Sequence, residues 1–127
     1  MSNSDINDTD ALFNGIYKKK KEKEENKLKT YNKIFDRCKK KIKWAADNHQ
    51  HYILFEIPRF NYDCPLYNLE ECAFYIKEKL KSKFKLHHFT PNDLYHLHKS
   101  NTDINNLTHI LLISWEHINA HLNKIYK

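Results

Sequence analysis

LKTYNKIFDRCKKKIKWAA, residues 28–46, carries the strongest periodic signal in the chain. Its apolar side chains recur three and four positions apart, which is the spacing of one face of an α-helix. The members of this apolar seam are Leu28, Tyr31, Phe35, Cys38, Ile42 and Ala45. Basic residues fill most of the remaining circumference. The pattern therefore predicts a helix with an apolar seam and a basic back.

The basic residues of the chain are concentrated around this helix. Residues 18–43 contain 13 of the 22 Lys and Arg residues and 4 acids, whereas residues 48–127 contain 9 bases and 8 acids. The run KKKKEKEENKLK, residues 18–29, can extend the helix through Glu and Lys pairs three and four positions apart. We therefore predict a basic N-terminal helix at about residues 18–46.

Composition predicts one domain preceded by a tail. A chain of 127 residues with 40% hydrophobic residues can bury a single core. Residues 1–14 carry three Asp and no base, so residues 1–17 are predicted to be a disordered acidic tail and residues 18–127 a single α+β domain. No apolar run reaches the roughly 18 residues that a membrane span requires, so no membrane insertion is expected.

Downstream of the basic helix, apolar runs of strand length alternate with amphipathic stretches. Strands are predicted at residues 52–57, 84–89 and 109–115, and helices at residues 69–82 and 92–97 and around Ile118, Leu122 and Ile125. Asn68 and Glu71 have the spacing of a capping box at the start of the second helix. The third strand is the most apolar and is placed near the sheet centre. The predicted fold is α+β, with a small three-stranded mixed sheet packed by helices, because the strand–helix–strand segment favours two parallel strands.

The chain lacks the cysteine, glycine and serine motifs on which much enzymatic chemistry depends. Cys38, Cys64 and Cys72 are odd in number and not closely spaced, which favours reduced, buried thiols. The single glycine, Gly15, excludes the glycine-rich loops that bind nucleotide phosphates. Ser114 lies inside an apolar run without the glycines of a nucleophile elbow. We therefore expect a non-enzymatic protein without a cofactor.

Nine histidines raise the question of a metal site. His117 and His121 are four residues apart, which places both imidazoles on one helix face, as helical zinc pairs require. The other residues considered as ligands are His87, His88, His96, His98, His109 and Glu116. No acid lies inside the pair as in the HExxH motif, so the favoured interpretation is that these are surface or half-buried imidazoles, and His117 and His121 remain candidates only.

The basic helix is the main candidate interface. Phosphate backbones attract Lys and Arg through charge and counterion release, without sequence preference. The candidate contact residues are Lys33, Arg37, Lys39, Lys40, Lys41, Lys43 and Trp44. Trp44 falls among the bases on the helical wheel, where it stacks on an exposed base or packs onto a partner protein, or else is buried as the chain turns. Burial is the favoured interpretation because tryptophans are mostly buried.

Four short motifs carry a resemblance: E-I-P at residues 56–58, P-L-Y-N at 65–68, P-N-x-L at 91–94 and I-S-W at 113–115. With them, the segment from Tyr52 onward resembles small, uncharacterised proteins of nucleocytoplasmic large DNA viruses. The chain departs from that pattern by the insertion between His96 and His109. The resemblance implies a viral origin and a location in the virion or in the virus factory of the host cytoplasm. It implies no site residue.

Together these observations predict a non-enzymatic viral protein, a virion component or assembly factor, whose basic helix contacts nucleic acid or an acidic partner surface. The expected partners are DNA or RNA, bound without sequence preference, or other virion proteins. The alternative is a protein–protein interaction module that does not bind nucleic acid. In that alternative, residues 28–45 pack against another chain, and Leu12, Phe13, Ile16 and Tyr17 form a docking motif.

Overall fold

The computed structural model describes residues 3–61, 64–97 and 107–117. The elements are α1 (Asn3–Asp47), β1 (Tyr52–Glu56), α2 (Leu69–Leu80), β2 (Lys85–Phe89), α3 (Pro91–Leu97) and β3 (Ile110–Ser114). This order confirms the predicted α+β class. The capping box is also confirmed, since the Asn68 side chain accepts a hydrogen bond from the Glu71 backbone N–H. The predicted helix around Ile118, Leu122 and Ile125 lies outside the described residues.

The sheet has the strand order β1-β3-β2. Its central strand is β3, as predicted, and the Leu111 and Ile113 side chains are fully buried. Both neighbours run antiparallel to β3, so the prediction of a mixed sheet is wrong. β1 and β2 do point in the same direction, but β3 lies between them. The most apolar strand buries the most surface in the central position, and its insertion there leaves no parallel ladder.

One face of the sheet packs against the two long helices. The alternation of side chains in β1 directs Ile53 and Phe55 to this face, opposite Ile113 and Leu111 of β3. α1 contacts β1, and α2 contacts β2 and α1. The α2 side chains that complete the core are Cys72, Ala73, Ile76 and Leu80. The basic helix is therefore held on the sheet by an apolar contact rather than by charge.

The buried face of α1 differs from the predicted seam. Tyr31, Cys38 and Ala45 are buried as predicted, but Ile34, which the predicted seam omitted, is completely buried. Leu28 was predicted to be buried and is 49% exposed. The remaining seam members, Phe35 and Ile42, are partly buried. The contacts with both the sheet and α2 turn the buried face away from Leu28 and toward Ile34.

α1 begins at Asn3, although the sequence predicted a disordered tail over residues 1–17 and a helix start near residue 18. No proline precedes Pro58, and adding a residue to an existing helix costs far less than starting one. The side chains of residues 8–26 are exposed throughout. At 1.5 Å per residue, residues 3–26 extend roughly 36 Å along the helix axis. Over the described residues, no helix has the combination of length and apolar character needed to cross a membrane.

The three cysteines are free. Cys38 and Cys72 are buried as predicted, whereas Cys64 is half-buried. Burial raises the pKa of both the Cys38 and the Cys72 thiol to about 12. These two thiols are therefore protonated at neutral pH and serve as small apolar groups of the core.

Candidate functional site

The candidate contact residues lie outside the buried arc of α1. At 100° per residue, five of the seven fall within an arc of about 100°. This basic face consists of Lys33, Arg37, Lys40, Lys41 and Trp44. Lys39 and Lys43 lie on the adjoining flank. All seven residues are exposed, and the basic face adjoins the buried side of the helix, where Ile34 and Ala45 enter the core.

Two residues of the basic face are held by polar contacts to neighbouring elements. The Arg37 guanidinium donates to Asn61 Oδ1 at 3.3 Å. Lys41 Nζ donates to the Leu54 carbonyl oxygen at 2.7 Å. The Leu54 carbonyl points away from β3, at the free edge of the sheet. The Lys41 contact therefore fixes the basic face relative to β1 and also satisfies an edge group that would otherwise be available for strand pairing.

The remaining bases differ in how strongly they are already neutralised. Lys39 forms an ion pair with Asp36 at 3.0 Å, and its ammonium lies 4.9 Å from the centroid of the Phe35 ring. Within the described ranges, Lys33, Lys40 and Lys43 make no ion pair or side-chain hydrogen bond. These three lysines are therefore the bases of the candidate set that are most available to an incoming anion.

Trp44 is 62% exposed, so the favoured interpretation that it is buried is wrong. At the end of α1 the chain turns through His49, which has a positive φ of 61°, as residues that follow helices often do. The Gln50 backbone N–H donates to the Ala45 carbonyl oxygen at 2.9 Å. This turn directs Ala45 to the core and leaves Trp44 outside. The buried tryptophan is Trp115 of the I-S-W motif.

A groove of about 450 Å³ runs between Trp44 and the free edge of β1. Its lining, which defines the β1 groove, is Lys41, Trp44, Ala45, Gln50, His51, Tyr52, Ile53 and Leu54. Tyr52 and Leu54 are each more than half exposed. The sequence interpretation did not include them, although the period-two pattern of YILFE places them on the face of β1 opposite Ile53. The groove thus combines two aromatic rings with a lysine.

The histidines that were considered as metal ligands are arranged differently. His88 Nε2 lies 2.8 Å from His109 Nδ1, and Lys77 Nζ lies 3.4 Å from His88 Nδ1. Since an ammonium can only donate, His88 accepts at Nδ1 and donates from Nε2 to His109. Desolvation by burial is the main cause that lowers the pKa of both imidazoles. We refer to these two residues as the histidine pair.

The candidate metal ligands His117 and His121 cannot be placed together, because His121 and His98 lie outside the described residues. His117 Nε2 donates to the Lys83 carbonyl oxygen at 3.1 Å, and its buried Nδ1 has no hydrogen-bond partner among the residues that the structure describes. In the segments that the structure describes, no three His, Cys, Asp or Glu side chains come close enough to hold a metal ion. Two of the proposed additional ligands, His88 and His109, bind each other.

The histidine pair predicts a pH-dependent stability. Both pKa values lie below the ordinary 6.5 in the folded state, so the unfolded chain binds protons first as the pH falls. The free energy of unfolding is therefore expected to be highest above pH 6.5 and to decrease toward pH 5. Urea denaturation between pH 5 and 8 measures this decrease. His88→Gln together with His109→Gln should reduce it, whereas the exposed His87→Gln should not. An unchanged pH dependence in the double variant would contradict the assignment.

Comparison with known proteins gives a family and a viral relative. The model of a family of unknown function, DUF5759, matches residues 13–81. The chain is 39% identical over 77 residues to "Uncharacterized protein R447" of Acanthamoeba polyphaga mimivirus. That alignment covers 59% of this chain and 58% of the relative. No solved structure matches the chain significantly.

These matches confirm the resemblance to small, uncharacterised proteins of large DNA viruses. The family match begins within α1 and ends just after α2, so it includes the whole basic face. The P-N-x-L and I-S-W motifs lie beyond it. The family model matches more than half of the residues of this chain, and the chain therefore belongs to the family of unknown function DUF5759.

Proposed function

We propose that the chain is a non-enzymatic viral protein, a virion component or assembly factor, whose basic face binds nucleic acid without sequence preference. Its place of action is the virion or the virus factory in the host cytoplasm. The viral relative supports the setting. The observation that carries the proposal is the position of Trp44 among four exposed bases on a helix whose adjoining face is buried in the core.

The chemistry of the site favours a single strand over a duplex. Lysines attract both, because both carry phosphates. An exposed aromatic ring, however, gains affinity by stacking on a base, and only an unpaired base exposes its face. Trp44 and Tyr52 both line the β1 groove, with Lys41 between them and Lys40 beside Trp44. A base stacked on Trp44 would have its flanking phosphates within reach of these ammonium groups.

One part of the interaction-module alternative conflicts with the packing. That alternative requires residues 28–45 to contact another chain, but Tyr31, Ile34, Cys38 and Ala45 are buried in the core of this one. An acidic protein surface remains the second candidate partner for the basic face. Both partners bind through charge, but only a nucleic acid supplies bases that can stack on Trp44.

Trp44→Ala is expected to weaken binding to a fluorescent 20-nucleotide oligo-dT by roughly 5- to 150-fold, which corresponds to about 1–3 kcal/mol for one stacked base. Affinity for a duplex of the same length should change little. Fluorescence anisotropy at 50 mM salt measures both. Phe74→Ala removes an equally exposed ring on α2 and serves as the control. If the wild-type protein fails to bind either probe at low salt, the proposed function is wrong; if Trp44→Ala binds normally, the stacking contact is absent.

A further inference from the structure

The exposed part of α1 carries an apolar stripe of its own. Leu12, Phe13, Ile16 and Tyr17 are 68%, 67%, 49% and 61% exposed, respectively. At 100° per residue they occupy an arc of about 140° on one side of the helix. Nothing in the described residues covers them. We call this set the N-terminal stripe; it lies more than two helical turns before the first buried residue of α1, Thr30.

The size of the N-terminal stripe fits a helix–helix contact. Large apolar and aromatic side chains each present about 150–250 Å², so side chains exposed by half to two-thirds leave roughly 400–500 Å² of apolar surface on one copy. The largest apolar patch on a monomeric protein is typically of this size and is often functional. Two such patches together bury on the order of 1,000 Å², which is the lower limit for a specific protein–protein interface.

Charges of opposite sign flank the N-terminal stripe. Asp8 and Asp10 precede it, and the run Lys18–Lys21 follows it. A second copy aligned in parallel would place the aspartates beside aspartates and the lysines beside lysines. At 100° per residue Asp8 shares one flank of the stripe with Lys19, and Asp10 shares the other flank with Lys21, so an antiparallel copy places Asp8 near Lys19 and Asp10 near Lys21 of the other chain. The segment is therefore complementary to itself only in the antiparallel orientation, because the parallel orientation brings like charges together.

We propose that residues 8–21 of α1 pair with the same residues of a second copy as an antiparallel two-helix contact. The two-fold axis passes near Asn14, so Leu12 and Phe13 of one copy contact Ile16 and Tyr17 of the other. This is a closed, self-complementary interface. Gly15 lies outside the arc of the N-terminal stripe, and a methyl group added there would meet no neighbour within 4 Å, so Gly15→Ala should leave the interface intact.

The charge pattern favours a second copy over two other occupants of an apolar stripe. An anionic lipid surface or a nucleic acid would attract the lysines but repel the aspartates, whereas an antiparallel second copy pairs aspartates with lysines at both ends. The pairing also has a geometric consequence. Trp44 lies 30 residues, or about 45 Å, from the axis, so the dimer presents two basic faces near its opposite ends. A long nucleic acid can then engage both, with the gain in affinity that linked sites give.

The test is sedimentation equilibrium of the nuclease-treated full chain from 5 to 500 µM in 50 mM salt. The wild-type protein should approach twice the monomer mass with increasing concentration. Leu12→Gln with Ile16→Gln should dimerise at least tenfold more weakly, with an unchanged thermal unfolding midpoint because neither residue belongs to the core. Phe74→Gln, which changes an exposed apolar residue outside the N-terminal stripe, should behave as the wild type.

Charge reversals test the orientation. Asp8→Lys with Asp10→Lys should prevent dimerisation, and so should Lys19→Asp with Lys21→Asp, because each places like charges opposite one another. An equimolar mixture of these two variants should form a heterodimer. A wild-type protein that stays monomeric at 500 µM would overturn the proposal, and so would charge variants that dimerise as the wild type does. Neither outcome depends on nucleic-acid binding, which is measured separately.

Discussion

Lys33→Glu, Lys40→Glu and Lys43→Glu together are expected to abolish binding of the oligo-dT probe at 50 mM salt. These lysines make no ion pair or side-chain hydrogen bond within the described residues. Replacing them by glutamate should therefore leave the fold intact while turning three attractive charges into three repulsive ones. Each phosphate contact of a single strand contributes about 0.7 to the slope of log affinity against log salt concentration. Wild-type binding should therefore be steeply salt-dependent.

The matched control is Lys81→Glu, Lys83→Glu and Lys85→Glu, which makes the same change in net charge near β2. All three residues are exposed. Lys81 and Lys83 lie in the connection from α2 to β2, where Lys81 is paired with Glu78, and Lys85 is the first residue of β2. A general attraction between a basic protein and an anion would weaken equally in both variants. The basic face predicts that only the α1 variant loses binding and that the control keeps most of the salt slope. Equal losses would show that the position of the charges does not matter.

Ile34→Ala is expected to lower the free energy of unfolding by about 2–5 kcal/mol. The side chain is completely buried, and its truncation removes apolar contacts and leaves a cavity between α1 and the core. A domain of this size has about 5–15 kcal/mol of stability in total. The substitution therefore removes a large fraction of it and weakens the attachment of α1, which orients the basic face.

Leu28→Ala provides the comparison, because the two apolar residues lie on the same helix. Leu28 is half exposed, so its truncation should change the free energy of unfolding by less than about 0.5 kcal/mol, as substitutions on the surface usually do. Urea denaturation monitored by the fluorescence of buried Trp115 measures both. The seam that periodicity alone predicts would give the opposite order, with Leu28→Ala the more damaging change.

The outcome of the sequence interpretation differs between the elements and the site. The helix that starts after Asn68 was predicted because its capping signal lies within four residues. The bases of the basic face were predicted because charge needs no tertiary context. Trp44 was assigned to the core because tryptophans are mostly buried. That interpretation was wrong because the exposure of Trp44 depends on the turn at His49, which the sequence does not specify. Tyr52 was missed because its groove forms only where α1 meets the edge of β1.

The sequence by itself determined the properties that depend on neighbours within a few residues: the class of each element, the caps, and the basic back of α1. The tertiary structure decided which of two overlapping seams is buried. Tyr31 and Cys38 are compatible with either Ile34 or Phe35 between them, since both spacings satisfy a helix. Only the contact with the sheet and α2 selects Ile34. The tertiary structure likewise placed β3 between β1 and β2, because strand order follows the burial of apolar surface over the whole sheet.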